Sequence, residues 1–368
     1  MAAKCRLRVA ASRRGACSMT IRMLTSALIG AGNIARSLHI PAHSRLQRSK
    51  LKWVCDTDLE AARQVAEKNG IPHHTDKLED VLNDLEVDWV DITTPNASHE
   101  PIALQSFQAG KHVFVQKPMA GTIDAAERMI AASRTYDRKL GVFMFLRGDG
   151  GIETLRNLIE HGHLGKVITL RGRMISYKGF SLDDDSWRKQ EARGALEQLG
   201  THLIDLFLHL QGEIKWVQSY SDTIYAPMKA DDVTTAIYGF EGGVSAVLET
   251  TYCQFTNRRT VGSILEVNGT AGNVRYNYRT GEMSIQLEND CELGDFRYNK
   301  EEGVAQRTFE SSYRGCVHRV HESFVESLCD GTPLLIDGPT GLYALKIIEK
   351  TFESAREERR LPVDAPVR

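Results

Sequence analysis

The chain has 368 residues, of which 42% are hydrophobic and 26% are charged, and its formal net charge is −2 at pH 7. This length exceeds one ordinary domain, and the composition is that of a globular protein with sizeable apolar cores. The small net charge argues against nucleic acid or an anionic membrane as the main partner, and no apolar stretch approaches the roughly 18 residues of a membrane span. The seven cysteines include no C-x-x-C pair, which favours reduced thiols in the cytoplasm over a disulfide or metal framework.

The first 22 residues are basic and contain no acidic side chain. Such a composition is typical of a targeting peptide, and the pair Arg13-Arg14 also occurs in twin-arginine export signals. However, the apolar run that would follow these arginines is interrupted by Arg22 and then continues into a predicted strand. We therefore favour a short disordered leader over residues 1–22, or a start codon assigned too early, with Met19 or Met23 as the first residue.

The first predicted strand, 24–29, runs into a glycine-rich turn. An apolar run followed by G-x-G-x-x-A is typical of a strand that turns tightly into a helix, where N–H groups and the helix dipole favour a pyrophosphate. Gly30 would make the turn, Gly32 would allow the phosphates to approach, and Ala35 would allow the helix to pack closely on the strand. The pattern therefore predicts a dinucleotide site, with Asn33 and Ile34 at the helix start.

The second predicted strand, 51–55, ends on Asp56. An acid at this point can hydrogen-bond the adenosine ribose diol, and a carboxylate repels a 2′-phosphate, so Asp56 predicts NAD rather than NADP. The separation between Gly30 and Asp56 is longer than the usual roughly 20 residues. We therefore expect a long first helix or an extended loop after it.

The following residues alternate short apolar runs with helical patterns, which predicts β-α-β units and a doubly wound parallel sheet. Asp58 and Thr122 are expected N-caps, and Gly70 and Gly110 are expected at helix C-termini. A bend at Gly148-Asp149-Gly150-Gly151 would end this Rossmann domain, which we place at 23–147. Its predicted strands are 24–29, 51–55, 87–92, 112–115 and 140–145, and its predicted helices are 34–47, 58–69, 97–109 and 122–136.

From about residue 166 the sequence becomes rich in long β-type runs. These runs predict an α+β domain over 148–368 with one large, open, mainly antiparallel sheet, and the whole chain is therefore assigned to the α/β class. An apolar helix near 192–211 is expected on one face of the sheet, and helices near 313–329 and 339–356 close the chain. The predicted strands are 167–177, 216–221, 233–240, 244–252, 261–268 and 273–278.

Polar residues follow the third and fourth strands of the first domain, where ligands bind in open α/β sheets. The third strand leads to Thr94 and Asn96, which could line a nucleotide groove or merely start a helix. The fourth leads to Gln116 and Lys117, and the proline that follows would hold the lysine in a rigid turn at the same sheet edge. A solvent-exposed lysine is the alternative, but its place at a strand end favours a functional role.

The apolar helix near 192–211 carries an aligned polar triplet. Gln198, His202 and Asp205 fall at i, i+4 and i+7 and share one face. Polar groups on so apolar a helix need partners when buried, which favours a site over a single core histidine. The other face should be core, and it comprises Leu196, Leu199, Leu203, Leu206 and Leu210.

Taken together, these motifs resemble the glucose–fructose oxidoreductase/inositol dehydrogenase (Gfo/Idh/MocA) family of NAD(P)-dependent oxidoreductases. The resemblance runs from about residue 23 to near the end of the chain. It rests on G-A-G-x-I-A at 30–35, on Thr94-Pro95-Asn96 with His99, on 109–113 leading to Lys117-Pro118, on 162–165, on Trp187-Arg188, and on Gly200-x-His202-x-x-Asp205.

The resemblance implies an NAD-dependent dehydrogenase that moves a hydride between the nicotinamide and a secondary alcohol of a sugar, cyclitol or related polyol. Lys117 and His202 would flank the reacting carbon, as proton-handling groups. No metal or nucleic acid is expected, and the open sheet would serve a homodimer or homotetramer. Expected substrate-binding residues are Gln198, Asp205, Trp187 and Arg188, and expected cofactor-binding residues are Gly30, Gly32, Asn33, Ile34, Asp56, Thr94, Asn96, His99 and Gln116.

Two residues depart from the pattern of the family. Gln116 replaces the usual Glu before the lysine, a variation that we regard as tolerated. Gln198 replaces an Asp four residues before the histidine, and an amide cannot share a proton with His202, although it can still hold a substrate hydroxyl. Glu197 points about 100° away around a regular helix and is not expected to replace the acid. A catalytically silent dinucleotide-binding sensor, or a hydrolase or epimerase that retains its cofactor, is therefore the alternative.

Overall fold

A computed structural model describes residues 22–176, 194–226, 228–253, 262–294, 296–309 and 313–365. The predicted leader therefore lies outside the described residues except for Arg22, whose guanidinium pairs with Asp88 at 2.5 Å. None of the described helices is long and apolar enough to cross a membrane.

The N-terminal part contains a six-stranded parallel sheet in the order β3-β2-β1-β4-β5-β6, as the β-α-β pattern predicted. Its strands are β1 (Leu24–Ile29), β2 (Ser49–Cys55), β3 (His73–Thr75), β4 (Trp89–Ile92), β5 (His112–Gln116) and β6 (Leu140–Phe143). Its helices are α1 (a π-helical turn, Ala35–His39, continued by Ile40–His43), α2 (Leu59–Asn69), α3 (Leu78–Leu82), α4 (His99–Gln108) and α5 (Ile123–Thr135).

The capping residues behave as their chemistry predicts. The Asp58 carboxylate accepts from the N–H groups of residues 60 and 61 at the start of α2, and Thr122 caps α5. Gly70 ends α2 with a φ of +65°, where a residue with a Cβ would be strained. By contrast, the predicted bend at 148–151 is wrong. Asp149 accepts from the N–H groups of Gly151 and Ile152 and starts a helix, α6 (Gly150–Glu160).

The C-terminal part contains a nine-stranded sheet in the order β16-β13-β12-β11-β7-β10-β9-β8-β17. Every neighbouring pair is antiparallel except β7 and β10, so the expectation of a mainly antiparallel sheet is confirmed. Its strands are β7 (Val167–Ile175), β8 (Ile214–Asp222), β9 (Val233–Phe240), β10 (Ser245–Thr251), β11 (Ser263–Gly269), β12 (Gly272–Asn277), β13 (Glu282–Leu287), β16 (Ala305–Thr308) and β17 (Leu361–Pro362), and β14 (Cys291–Leu293) pairs with β15 (Phe296–Tyr298) alone.

Three further helices connect the two sheets. The first, α7, consists of a π-helical turn, Leu196–Gly200, followed by Thr201–Gln211, and it packs on one face of the large sheet. The second, α8 (Tyr313–Asp330), packs back against α1 and the 3-10 turn Phe145–Gly148, while α9 (Gly338–Glu357) packs on β8. The sequence predicted all three near their observed positions, and the contacts of α8 bring the end of the chain to the first sheet.

Candidate active site

The glycine turn lies between β1 and α1 and meets the end of β4. Gly30 has a φ of +103°, and a Cβ there would lie 3.0 Å from backbone atoms of Thr93 and Thr94, so glycine is required for both conformation and space. A Cβ at Gly32 would meet no atom within 4 Å. Ala35 is fully buried with Leu28 and Val54, as its predicted packing role requires. The turn is therefore packed closely against Thr93 and Thr94 at Gly30, and it leaves open space at Gly32.

Asp56 lies beside this turn at the end of β2. Its Oδ2 accepts from the Ala31 N–H at 2.6 Å, and its Oδ1 accepts from the Asp58 N–H at 2.9 Å. These bonds hold the carboxylate next to the glycine turn. The long separation from Gly30 comes from the loop between α1 and β2, because α1 itself ends at His43.

Asn96 connects the first sheet to α7. Its Nδ2 donates to Glu197 Oε1 at 3.2 Å, and Glu197 is fully buried. Glu197 therefore holds Asn96, a predicted cofactor-binding residue, and does not replace the missing acid at position 198. This agrees with the prediction that Glu197 points away from position 198 around the helix. The Oγ1 of neighbouring Thr94 is buried without a hydrogen-bond partner among the described residues, which is a free polar atom on the wall of the cavity described below.

Lys117 follows β5 directly, and its peptide bond to Pro118 is cis. The backbone N–H of Lys117 donates to the side-chain oxygen of Gln116 at 3.0 Å, and its Nζ donates to the backbone carbonyl of Gln198 at 3.0 Å. The strand end and the helix are thus joined through the lysine head group. Lys117 is not a solvent-exposed surface lysine, since it bridges the two parts of the chain.

His202 lies one turn after the π-helical segment of α7. Its Nδ1 is buried and has no hydrogen-bond partner among the described residues, and its ring lies edge-on to Phe145 with centroids 4.6 Å apart. Burial, assisted by the positive charge of Lys117, lowers the pKa of His202 well below 6.5. The imidazole is therefore neutral near pH 7 and can accept a proton.

The residues around these two groups form one cavity of about 600 Å³. Most of the predicted site residues line it: Gly32, Asn33, Ile34, Thr94, Asn96, Gln116, Lys117, Gln198 and His202. Gly30, which is part of the glycine turn, and Asp56, which lies beside it, do not line the cavity. Leu199, which was expected in the core, also lines the cavity, because the π-helical turn breaks the regular spacing assumed for this helix.

Two more of the predicted ligand residues do not line the cavity. His99 is fully buried, and its ring nitrogens lie 3.0 Å from the Pro118 carbonyl and 2.9 Å from the Thr94 carbonyl, so it supports these loops. Asp205 is 1% exposed and pairs with Arg147 at 2.7 Å, which ties α7 to the turn after β6. Trp187 and Arg188 lie outside the described residues.

Several cavity residues were not predicted from the sequence. Phe145 and Tyr313 lie edge-on with ring centroids 4.3 Å apart, and both line the cavity. Tyr278 and Arg279, in the hairpin turn between β12 and β13, line it as well. A hairpin turn is normally solvent-exposed, so the sequence around Arg279 carries no signal of its place in the site.

A buried histidine cluster, consisting of His39, His43, Asp91 and His321, lies behind Gln116. The Asp91 Oδ2 is 2.7 Å from His39 Nδ1, 3.0 Å from His43 Nε2 and 3.1 Å from His321 Nε2. Burial lowers the pKa of His39 and of His43, whereas the surrounding imidazoles outweigh burial and hold the pKa of Asp91 well below 3.8. The cluster joins α1 and α8 to β4.

The donor atoms of His39, Asp91 and His321 lie within 4.8 Å of one another, which is close enough for a shared metal ion. The hydrogen bonds give a different assignment. Because Gln116 accepts from the Lys117 N–H, its amide nitrogen faces His39 Nε2 at 2.8 Å, and His39 must then direct its proton from Nδ1 towards Asp91. With Nδ1 donating to Asp91 and Nε2 accepting from Gln116, these residues fit a hydrogen-bonded support.

Comparison with known proteins agrees with this architecture. The sequence matches the family described as "Oxidoreductase family, NAD-binding Rossmann fold" over residues 24–144 and the "GFO/IDH/MocA C-terminal domain" over residues 152–275. These matches cover more than half of the chain, and the chain therefore belongs to the GFO/IDH/MocA oxidoreductase family. The predicted family, fold class and enzyme class are confirmed.

Individual relatives are named as sugar and cyclitol dehydrogenases. The chain is 24% identical to a D-apiose dehydrogenase of Paraburkholderia graminis, over 94% of this chain and 91% of that protein. It is 25% identical to a scyllo-inositol 2-dehydrogenase (NADP(+)) of Bacillus subtilis, over 92% and 95%. A solved structure of levoglucosan dehydrogenase in complex with NADH and levoglucosan has the same fold, with a TM-score of 0.82 at 22% identity, over 93% of this chain and all of that one.

The described residues fit a nicotinamide dinucleotide. Gly32 leaves space where any side chain would intrude, the start of α1 offers N–H groups to phosphate, and Thr94 Oγ1 is a buried polar atom that lacks a partner. When bound, the dinucleotide supplies a carbon that accepts or donates a hydride. The glycine turn, Thr94, Asn96 and Gln116 are the residues that would hold it.

Proposed function

We propose that this protein oxidises a secondary alcohol of a sugar, cyclitol or related polyol, with NAD as the hydride acceptor. The observation that carries the proposal is the presence of Lys117 and His202 in one cavity whose wall also includes Gly32, Asn33 and Ile34. A proton-handling pair beside a nicotinamide site is the arrangement that alcohol oxidation requires. The names of the relatives support a sugar or cyclitol as the substrate.

Lys117 would bind the reacting oxygen of the substrate. Its backbone is fixed by Gln116, and its Nζ is held at the Gln198 carbonyl, so the ammonium group reaches a substrate hydroxyl with little rearrangement. A positive charge there stabilises the oxygen as it loses its proton.

His202 would accept that proton. Its neutral imidazole has a buried Nδ1 without a partner among the described residues, and the edge of Phe145 limits how the ring can turn. Gln198 would orient a second hydroxyl, because its amide both donates and accepts and it lines the same cavity. The loss of the acid at position 198 therefore leaves the proton-handling pair complete.

Reduction of NAD by the purified protein, measured against inositols, aldoses and sugar acids, tests this proposal. We expect steady NADH formation with at least one compound. Nucleotide that co-purifies and cycles without net NADH release would indicate the cofactor-retaining hydrolase or epimerase, and dinucleotide binding without turnover would indicate the silent sensor.

We also propose NAD rather than NADP as the preferred cofactor. The support is the Asp56 carboxylate, which is held beside the glycine turn where it can bind a ribose diol and repel a 2′-phosphate. Asp56→Ser is expected to weaken NADH binding and to strengthen NADPH binding, shifting the ratio of the two Kd values by at least about tenfold.

The matched control is Asp58→Asn, which removes a nearby charge and keeps a good helix N-cap. Fluorescence titration of the reduced cofactors reports both Kd values for each variant. Tighter binding of NADPH than of NADH by the wild-type protein would contradict the preference.

A cytoplasmic homodimer or homotetramer is the state that we propose for this enzyme. The five cysteines among the described residues are free thiols, which suits a reducing compartment. The face of the large sheet opposite α7 and α9 carries exposed side chains such as Ile168 and Ile237, and a second copy could cover them.

A further inference from the structure

The charges of the described residues that face the cavity are unbalanced. Among the described residues that line it, Lys117 and Arg279 are the two with basic side chains, apart from neutral His202, and none is Asp or Glu. An oxidised nicotinamide adds a further positive charge when it is bound. A neutral polyol would leave these like charges without compensation, and like charges that line one cavity repel one another.

Arg279 is placed in the cavity by the hairpin between β12 and β13. The Asn277 Oδ1 accepts from the N–H groups of Arg279 and Thr280 at 3.1 and 3.2 Å, and the Tyr278 hydroxyl donates to the Arg173 carbonyl at 2.7 Å. These bonds fix the backbone on both sides of the arginine. The turn therefore places Arg279, an exposed residue, at one wall of the cavity.

The guanidinium has no acidic partner within the described part of the chain. Other arginines of the large sheet are paired, for example Arg173 with Glu249 at 2.8 Å and Arg275 with Glu266 at 3.3 Å. Arg279 differs from these neighbours because it lines the cavity and forms no such pair there. An unpaired guanidinium beside a substrate site is suited to bind a carboxylate through two parallel hydrogen bonds.

Gln198 strengthens the same argument. A carboxylate at this position would offset one positive charge and would repel an anionic substrate, whereas the amide of Gln198 does neither. Gln198 in place of an acid and Arg279, which has no acidic partner among the described residues, thus both make the charge of the cavity lining more positive.

We propose that the substrate is a sugar acid: a polyol whose carboxylate binds Arg279 while a secondary hydroxyl lies at Lys117 and His202. This inference rests on the proposed dehydrogenase activity and names its substrate class. The hydroxyl-bearing carbon gives a hydride to NAD⁺, the hydroxyl gives its proton to the enzyme, and the products are a keto acid, NADH and a proton. The carboxylate takes no part in the reaction. A single guanidinium matches one carboxylate, which is why a carboxylate is favoured over a phosphate dianion.

The test compares kcat/KM for matched pairs, such as glucuronate with glucose and gluconate with sorbitol, and includes a sugar phosphate. We expect the acids to be preferred. Arg279→Gln should lower the ratio of acid to neutral kcat/KM by at least about tenfold, mainly through KM, because a charged hydrogen bond is lost. Arg279→Lys should retain part of the preference, and Arg297→Gln, which alters an exposed arginine outside the cavity, should leave the ratio unchanged.

Equilibrium binding of the acid to the protein–NADH complex provides a readout that does not require turnover. Binding of the sugar acid that depends on Arg279 would support the inference even if no compound were oxidised. The absence of oxidation would contradict only the proposed dehydrogenase activity. Equal or better turnover of neutral polyols, an unchanged ratio in Arg279→Gln, or a preference for the sugar phosphate would each overturn the inference while the dehydrogenase activity stood.

Discussion

Lys117 and His202 reach the same cavity from elements that are far apart in the sequence. Lys117 is held between the end of a strand and a proline. His202 lies on an apolar helix, which has to be buried. The contact between Lys117 Nζ and the Gln198 carbonyl links these two elements directly. The charge of the lysine therefore acts on the imidazole, in the same direction as burial.

The first prediction at this scale concerns pH. Because burial and Lys117 lower the pKa of His202, the imidazole stays neutral as the pH falls through 6.5, and His202 should not limit oxidation there. We expect that the decline of kcat/KM caused by protonation of His202 lies below pH 6.5. We also expect that His202→Asn lowers kcat/KM by about 100-fold or more at neutral pH.

The measurement is a pH–rate profile of the wild-type protein, with His161→Asn, a change at an exposed histidine, as the control. A histidine-dependent acid limb centred at or above pH 6.5 would show that the imidazole is not held in its neutral form.

Most of the site residues predicted from the sequence line the cavity, because strand ends and helix faces can be read from periodicity. His99 and Asp205 do not line the cavity, and a motif does not show whether a polar side chain faces a ligand or a buried partner. Arg279 was also missed, because a hairpin turn carries no sequence signal of its place in the cavity wall.

At the scale of elements, the histidine cluster holds α1 and α8 on the sheet. Three imidazoles from these helices face one carboxylate of β4, and Gln116 connects the cluster to the backbone of Lys117. The position of Lys117 is therefore coupled to the packing of the histidine cluster.

Asp91→Asn should destabilise the protein by on the order of 3 kcal/mol, because the amide is a weaker acceptor than the carboxylate oxygen on which three buried imidazoles converge. Since the pKa of Asp91 is lowered in the folded state, its contribution is present at neutral pH and declines as the pH falls below about 3.8. Urea denaturation at pH 7 measures the effect.

The matched control is Asp330→Asn, which breaks an exposed pair with Arg48 and should cost much less, because water and salt screen such pairs. Equal midpoints for Asp91→Asn and the wild-type protein would mean that the cluster contributes nothing to stability.

Helices and strands with strong periodicity and clear caps were predicted close to their observed positions. Short elements such as β3 and β17 were not, because two or three residues carry too little pattern. The π-helical turns in α1 and α7 were also missed, since they arise from packing and leave no mark in the spacing of apolar residues. The one in α7 places Leu199 in the cavity wall.

At the scale of the whole molecule, the large sheet is covered by helices on one face. On the other face, charged pairs such as Arg173–Glu249 lie between exposed apolar residues. We expect a second copy to pack there, so the wild-type protein should elute as a dimer or tetramer in light-scattering chromatography.

Ile237→Lys, on this open face, should shift the protein towards smaller species. Ile224→Lys, at an isoleucine with similar exposure in the loop after β8, is the matched control and should not. A wild-type monomer at micromolar concentration would contradict association through the sheet.

The claim on which the whole account depends is that Lys117 takes part in oxidation of an alcohol by NAD. Its most direct test is kcat/KM of Lys117→Ala on a substrate oxidised by the wild-type protein, with the exposed Lys166→Ala as control. We predict a loss of about 100-fold or more for Lys117→Ala and no change for the control. If Lys117→Ala retains more than about a tenth of wild-type kcat/KM, the loss is under ~1.4 kcal/mol, and the catalytic assignment is wrong.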